Sequence, residues 1–222
     1  MSTLFVIPTP IGNLEDITHR AIKTLKEADV VLAEDTRVSK KLFARYNIST
    51  PIRAFHAHNE HKIVAKYIME LKSGKSTALI SDAGTPGISD PGFLLVREAI
   101  KNNLAVSCLP GATAFVPALI MSGIPCDRFV FEGFLPAKKG RKKRLEMIEK
   151  ETKTMIFYES PHRLLKTLIE LSDYVDLERR ISISREISKL YENTIRGNIN
   201  EAIEYFKDKK PRGEFVVVLA GK

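Results

Sequence analysis

Three short segments hold most of the residues whose types and spacing suit ligand chemistry. They are Pro8-Thr9-Pro10-Ile11-Gly12-Asn13, the run from Asp82 to Gly92 (DAGTPGISDPG), and Leu109-Pro110-Gly111-Ala112-Thr113-Ala114. Each follows an apolar run with strand character. Glycine permits positive φ and close backbone approach, and proline fixes the turn. Such loops present backbone N–H and C=O groups to an adenine or a methionine moiety. Any one of them alone reads equally well as a plain strand-to-helix turn. The usual nucleotide fingerprints are missing: there is no GxGxxG, and Gly74-Lys75-Ser76 has Met69 where a P-loop needs its first glycine.

Proton-transfer and orienting groups lie near the same strand ends. The carboxylates are Glu34, Asp35, Asp82, Asp90, Glu132, Glu159 and Glu186, and the cations are Arg37, Arg163 and Arg185. Asp35 directly follows a buried-looking strand, which suits a base. It is also well placed to cap a helix beginning at Thr36. His56-Ala57-His58-Asn59-Glu60-His61 has the look of a metal motif, but a two-metal hydrolase needs more histidines downstream, and only His162 remains. Histidines on the surface or at a helix start are the plainer reading, and no metal is expected.

Charge is concentrated in one place. The net charge is +8, and six of the seven residues Lys138 to Arg144 (KKGRKKR) are basic; without those six the balance falls to +2. A cationic excess built this way points to one local polyanion contact. The expectation is an exposed helix start with no apolar stripe to bury, whose side chains Lys138, Lys139, Arg141, Lys142, Lys143 and Arg144 hold nucleic-acid phosphates. Phe55, Phe134, Phe157 and Tyr158 are candidates for base stacking, with core packing the alternative for each.

The elements that must position these residues are legible as a change of pattern along the chain. Strands are expected at Leu4 to Ile7, Val30 to Ala33, Ala78 to Ser81 and Ala105 to Cys108. Helices are expected near Thr18 to Glu27, Thr36 to Tyr46, Asn59 to Lys72, Pro91 to Lys101 and Ala112 to Met121. Alternating apolar strands and helices predict a mostly parallel sheet covered on both faces. The turn-rich connector Ser122 to Asp127 divides residues 1–122 from residues 127–222. Beyond it lie strands at Phe129 to Glu132, Thr154 to Phe157, Arg180 to Ser184, Leu190 to Arg196 and Glu214 to Leu219. Short joins at Arg185 to Lys189 and Lys209 to Gly213 predict hairpins or tight corners, and so a sheet that is at least partly antiparallel. The 44% apolar content supports a core without staples, and Cys108 and Cys126 are expected to be small buried hydrophobes in a reducing, cytoplasmic setting. No stretch approaches the roughly 18 apolar residues of a membrane span.

Six strings together resemble the ribosomal RNA small-subunit methyltransferase I family of the tetrapyrrole-methylase-like superfamily. They are PTPIGNL (8–14), AEDTR (33–37), SDAGTPGISDPG (81–92), LPGATA (109–114), FEGFLP (131–136) and YESPHR (158–163). The resemblance spans almost the whole chain. It implies an α/β class III methyltransferase fold of two α/β domains, a homodimer, and S-adenosylmethionine bound in an interdomain cleft. It also implies 2′-O-methylation of a cytidine ribose in the decoding region of small-subunit ribosomal RNA, as naked RNA or in a ribosomal subunit. Tetrapyrrole methylases carry Gly-Asp-Pro where this chain has Gly84-Thr85-Pro86, a departure that favours the RNA branch. The donor is then expected against Pro10, Asp82, Ala83, Gly84, Thr85, Pro86, Ile88, Thr113, Ala114, Phe131, Glu132, Phe134 and Leu135.

Methyl transfer to a ribose hydroxyl needs in-line alignment and a route for the hydroxyl proton. Asp35, Arg37, Glu159, Arg185 and Glu186 are candidates for that chemistry, and the sequence singles out none as the base. Two other classes stay in view: a non-catalytic RNA-binding or assembly protein, which accounts for the basic segment but not for three turn-rich loops, and a tetrapyrrole methylase.

Overall fold

The computed structural model describes residues 2–222, which divide into two compact units, 2–113 and 114–222. The first is a five-stranded parallel sheet. Its strands are β1 (Thr3–Val6), β2 (Val30–Ala33), β3 (Ile52–Ala54), β4 (Thr77–Ile80) and β5 (Ala105–Cys108), in the order β3-β2-β4-β1-β5. Every residue of β2 and β4 is buried, as expected of central strands with helices on both faces.

Successive side chains point to opposite faces, and two separate cores result. Val31 and Ala33 join Leu25 of α1 (His19–Glu27) and Leu42 and Phe43 of α2 (Thr36–Tyr46) on one side. Val30 and Leu32 join Tyr67 and Leu71 of α3 (Glu60–Lys72) and Leu95 of α4 (Phe93–Lys101) on the other. The three-residue β3, absent from the sequence reading, is an outer strand pairing only with β2.

The second unit is a mixed sheet of β6 (Phe129–Phe134), β7 (Thr154–Glu159), β8 (Arg180–Arg185), β9 (Asn193–Asn198) and β10 (Phe215–Leu219). Its order is β6-β7-β10-β8-β9. Only β6 and β7 run parallel; the other pairings are antiparallel. One face packs on α6 (Arg141–Lys150), α7 (Leu164–Ser172) and α8 (Ile199–Asp208) through Ile148, Leu168, Ile203 and Phe206.

Helix α5 (Phe115–Ser122) crosses β7, β8 and β10 and covers the other face. This corrects the expected boundary. The helix read as closing the first domain belongs to the second, because Ala118 and Leu119 are buried in it, and the division falls at Thr113/Ala114, ahead of the connector.

Two further expectations are corrected. The short β8–β9 join is a hairpin, but the strand that follows starts at Asn193, so Leu190 and Tyr191 lie in the turn. Cys108 and Cys126 are free and exposed, because Cys108 ends an outer strand and Cys126 sits in a turn. Among the described residues, no helix is long and apolar enough to cross a membrane.

Candidate functional site

The three turn-rich loops open on the carboxyl edge of the first sheet and brace one another. Thr9 and Gly84 exchange backbone hydrogen bonds at 2.9 Å in each direction, and the Thr9 hydroxyl donates to the Ser81 carbonyl at 3.0 Å. The Thr85 hydroxyl donates to the Ala112 carbonyl at 3.0 Å and meets the Thr113 hydroxyl at 2.5 Å. Gly111 closes the ring: a Cβ there would stand 2.6 Å from Pro8, so only glycine lets these two loops touch. Gly84 sits at φ 83°, a conformation that side chains strain. The structure thus brings Asp82, Ala83, Gly84, Thr85 and Thr113 into one cross-braced edge, with Ile88 held by its amide on the Thr85 carbonyl at 3.1 Å.

A group of carboxylates borders this edge. Parallel pairing sets Ala33 beside Ile80, so the residues that follow, Glu34 and Asp82, emerge together. The Asp82 carboxylate accepts from the Asp35 backbone N–H at 2.9 Å. Asp90 returns to the same place through the loop. Burial, then the negative charges of Glu34 and Asp82, push its pKa up to about 6 against a hydrogen bond from Ser81. Glu34 is raised for the same reasons, burial first and Asp82 second. Strong perturbation by burial and specific charges is typical of functional sites. The sequence put Glu34, Asp82 and Asp90 among its strand-end carboxylates without showing that they meet.

Asp35 does what a helix cap does. Its side chain accepts from the Arg37 backbone N–H at 2.8 Å, and the Arg37 guanidinium grips it at 2.6 Å. That side-chain hydrogen bond, more than anything else, lowers the Asp35 carboxyl to about 2. A carboxylate held so low is a poor proton acceptor near neutral pH. His56 stands at the start of α3, where its backbone N–H donates to the Asn59 side chain and its carbonyl accepts from Asn59 and Glu60. Among the described residues, no group of three or more histidine, cysteine, aspartate or glutamate side chains is placed to hold a metal ion.

In the second unit the residues after β6 and β7 form a clamp. The Glu159 carboxylate is fully buried and accepts from the Ser160 N–H at 2.8 Å and the Thr167 hydroxyl at 2.7 Å, with Arg163 at 3.4 Å. Arg163 donates to the Leu135 carbonyl at 2.7 Å. Arg141 donates to the Pro136 carbonyl at 3.0 Å, to Thr167 at 2.8 Å and to Glu170 at 2.6 Å. Leu135 is buried. Phe131 stacks on Phe115 at 4.6 Å between ring centres and meets Tyr158 edge-on, and Phe134 is exposed. Phe55 and Phe157 are core residues.

The basic segment splits under this geometry. Lys138, Lys139, Lys142 and Lys143 are exposed, as expected. Arg141 is not: it is buried in the clamp and cannot reach solvent phosphates while it holds Glu170. Arg144 is half-buried and pairs with Glu132 at 3.1 Å. Helix α6 also has a buried stripe, Arg141, Leu145 and Ile148, where none was expected, because residues four and three apart share a helix face.

At the end of β8, Arg185 has a buried Nε without a hydrogen-bond partner. Burial alone would raise Glu186. The Glu214 N–H and Lys189 outweigh it and hold the carboxyl below its usual range. The sequence marked the turn after Glu186 and the run Lys209-Lys210-Pro211-Arg212 only as short joins between strands; the adjacent cations in that run were the available signal of a further role.

The family model for tetrapyrrole (corrin/porphyrin) methylases matches residues 3–203. A "Ribosomal RNA small subunit methyltransferase I" from Thermotoga maritima is 46% identical over all of both chains. A protein of the same name from Bacillus subtilis is 49% identical over all of this chain and 76% of its own length. Among solved structures, cobalt precorrin-4 methyltransferase superposes with a TM-score of 0.72 at 16% identity, covering 98% of this chain and 94% of that one. Uroporphyrin-III C-methyl transferase from Thermus thermophilus, solved with S-adenosyl homocysteine, superposes with a TM-score of 0.67 at 18% identity, covering 99% and 97%.

Proposed function

The chain belongs to the ribosomal RNA small subunit methyltransferase I family, within the tetrapyrrole methylases, and on that ground we propose that it transfers a methyl group from S-adenosylmethionine to small-subunit ribosomal RNA. The observation that carries this reading is the cross-braced edge formed by PTP (8–10), SDAGTPG (81–87) and LPGATA (109–114). The finer form is 2′-O-methylation of a cytidine ribose in the decoding region by a homodimer, as the resemblance implies, in the cytoplasm.

Bound S-adenosylmethionine supplies an electrophilic methyl group on a positively charged sulfur. The residues of the first unit fit such a cation. Burial first, and then the negative charges of neighbouring carboxylates, raise Glu34 and Asp90, and a positive ligand beside them relieves the repulsion. Backbone groups of Ala83, Gly84, Thr85, Thr113 and Ala114 are the proposed contacts, with Pro10, Pro86 and Ile88 as walls. Thr85 braces two loops through its hydroxyl, a neutral group where tetrapyrrole methylases carry a carboxylate.

On the RNA side, Lys138, Lys139, Lys142 and Lys143 give affinity and register through phosphates. Asp90, poised near neutral pH, is the carboxylate best tuned to take a proton, whereas Asp35 and Glu159 are engaged in structural hydrogen bonds. The test is methyl transfer from labelled donor to small ribosomal subunits and to protein-free RNA, with the product nucleoside mapped by mass spectrometry. A 2′-O-methylcytidine supports the full reading. A methylated base refutes the finer form, and absence of transfer to either substrate refutes the function.

A further inference from the structure

The strand register of the second unit puts four loops on one edge of its sheet. Phe134 pairs with Tyr158, and Phe215 pairs with both Glu159 and Arg185, which in turn pairs with Asn193. The loops after β6, β7 and β8, and the one before β10, therefore open in the same direction. The exposed lysines after β6 stand at one end of this edge. Strands lie about 4.8 Å apart, so the β8–β9 turn is three spacings away, about 14 Å.

That turn is built to hold a fixed shape. Glu186 and Ser188 adopt φ of 51° and 68°, a region non-glycine residues seldom enter. The Glu186 carboxylate accepts from the Glu214 N–H at 2.9 Å and from Lys189 at 3.0 Å; Lys189 also reaches the Glu214 carboxylate at 2.7 Å. The Glu192 carboxylate accepts from the Ser188 N–H at 2.6 Å. Glu186 and Glu192 are thus answered within the turn and by the Glu214 N–H, and the Glu214 carboxylate is answered by Lys189. What the turn presents outward is Leu190, 89% exposed, and Tyr191, 68% exposed. The neighbouring loop, tied to it through Glu214, carries exposed Lys210 and Arg212.

We propose that this turn and loop form a second RNA-contacting surface, where Tyr191 stacks on an unpaired base and Lys210 and Arg212 hold flanking phosphates. The inference rests on the reading of small-subunit RNA as substrate. Specific RNA recognition relies on unstacked bases laid on aromatic side chains beside cations. A second copy of the chain fits worse. Two apolar side chains fall far short of the roughly 800 Å² per partner of a stable protein interface. The adjacent cations would also repel their own counterparts.

The experiment uses the full chain with a transcript of small-subunit ribosomal RNA, its affinity measured at several salt concentrations. Loss of one stacked base weakens binding roughly 5- to 150-fold, so Tyr191→Ala is expected in that range and Tyr191→Phe close to wild type. Tyr191→Ala should leave the salt slope alone, whereas Lys210→Ala and Arg212→Ala should each flatten it by about 0.7. Donor affinity and the mass by light scattering should stay unchanged. Wild-type affinity in Tyr191→Ala, or a change in its oligomeric mass, overturns the inference while the proposed function stands. Wild-type protein that transfers no methyl group to small-subunit RNA overturns both.

Discussion

Replacing Asp90 by Asn should stabilise the first unit near neutral pH and lose that advantage in acid. Asp90 is partly buried beside Glu34 and Asp82, and its pKa is about 6 against an ordinary 3.8. The folded pKa lies above the unfolded one, so the native state keeps a proton that the unfolded chain has released. Relative to a neutral side chain, the carboxylate costs nothing below about pH 4, and its penalty grows until the pH passes 6. Two pKa units correspond to a ceiling of about 3 kcal/mol. Partial exposure to water reduces this to about 1–2 kcal/mol. Asparagine keeps an oxygen for the Ser81 hydroxyl and removes the repulsion. At roughly 2–4 °C per kcal/mol, Asp90→Asn should raise the midpoint by several degrees at pH 8. Thermal unfolding of both proteins from pH 8 to pH 4 is the assay. A gain that stays constant across that range, or a loss at pH 8, would refute the electrostatic account of this site. If Asp90 also takes the hydroxyl proton, the same variant loses methyl transfer while gaining stability, the usual trade at a strained functional group.

Three other substitutions probe separate parts of the molecule. Gly84→Val forces a β-branched residue into φ 83° on the braced edge, and calorimetry should show donor binding abolished while circular dichroism stays unchanged; retained affinity removes that loop from the site. Alanine at Lys138, Lys139, Lys142 and Lys143 together should weaken RNA binding and flatten its salt slope by up to about 0.7–0.9 per lost contact, with donor affinity constant. Arg141→Ala, by contrast, leaves Glu170 only its longer contact with Lys166 at 3.8 Å and three hydrogen bonds unmade, and should cost about 2–3 kcal/mol of stability in the second unit, read by denaturant titration. A fully stable Arg141→Ala that binds RNA poorly would return Arg141 to the phosphate-binding set.

The contrast between Arg141 and its neighbours shows where sequence reading ends. Six cations in seven positions look alike on paper, and their shared composition correctly signals a basic surface. What sorts them is Glu170, 29 residues further on, and the buried Thr167. No local pattern reports a partner so distant. The central strands were legible for the opposite reason: Val30-Val31-Leu32-Ala33 and Thr77-Ala78-Leu79-Ile80 must be buried on both faces wherever they sit, so their apolar content suffices. Ile52-Arg53-Ala54 is an outer strand, short and partly charged, and only its pairing to β2 makes it a strand. The candidate site falls between these cases. Its loops declared themselves through glycine and proline, since turn chemistry is local. Its carboxylates did not: Glu34 precedes Asp82 by nearly fifty residues, and the parallel register of Ala33 with Ile80 is what makes them neighbours. The raised pKa of Asp90 is therefore a tertiary property, created first by burial and then by neighbouring charges that the residues themselves do not spell out.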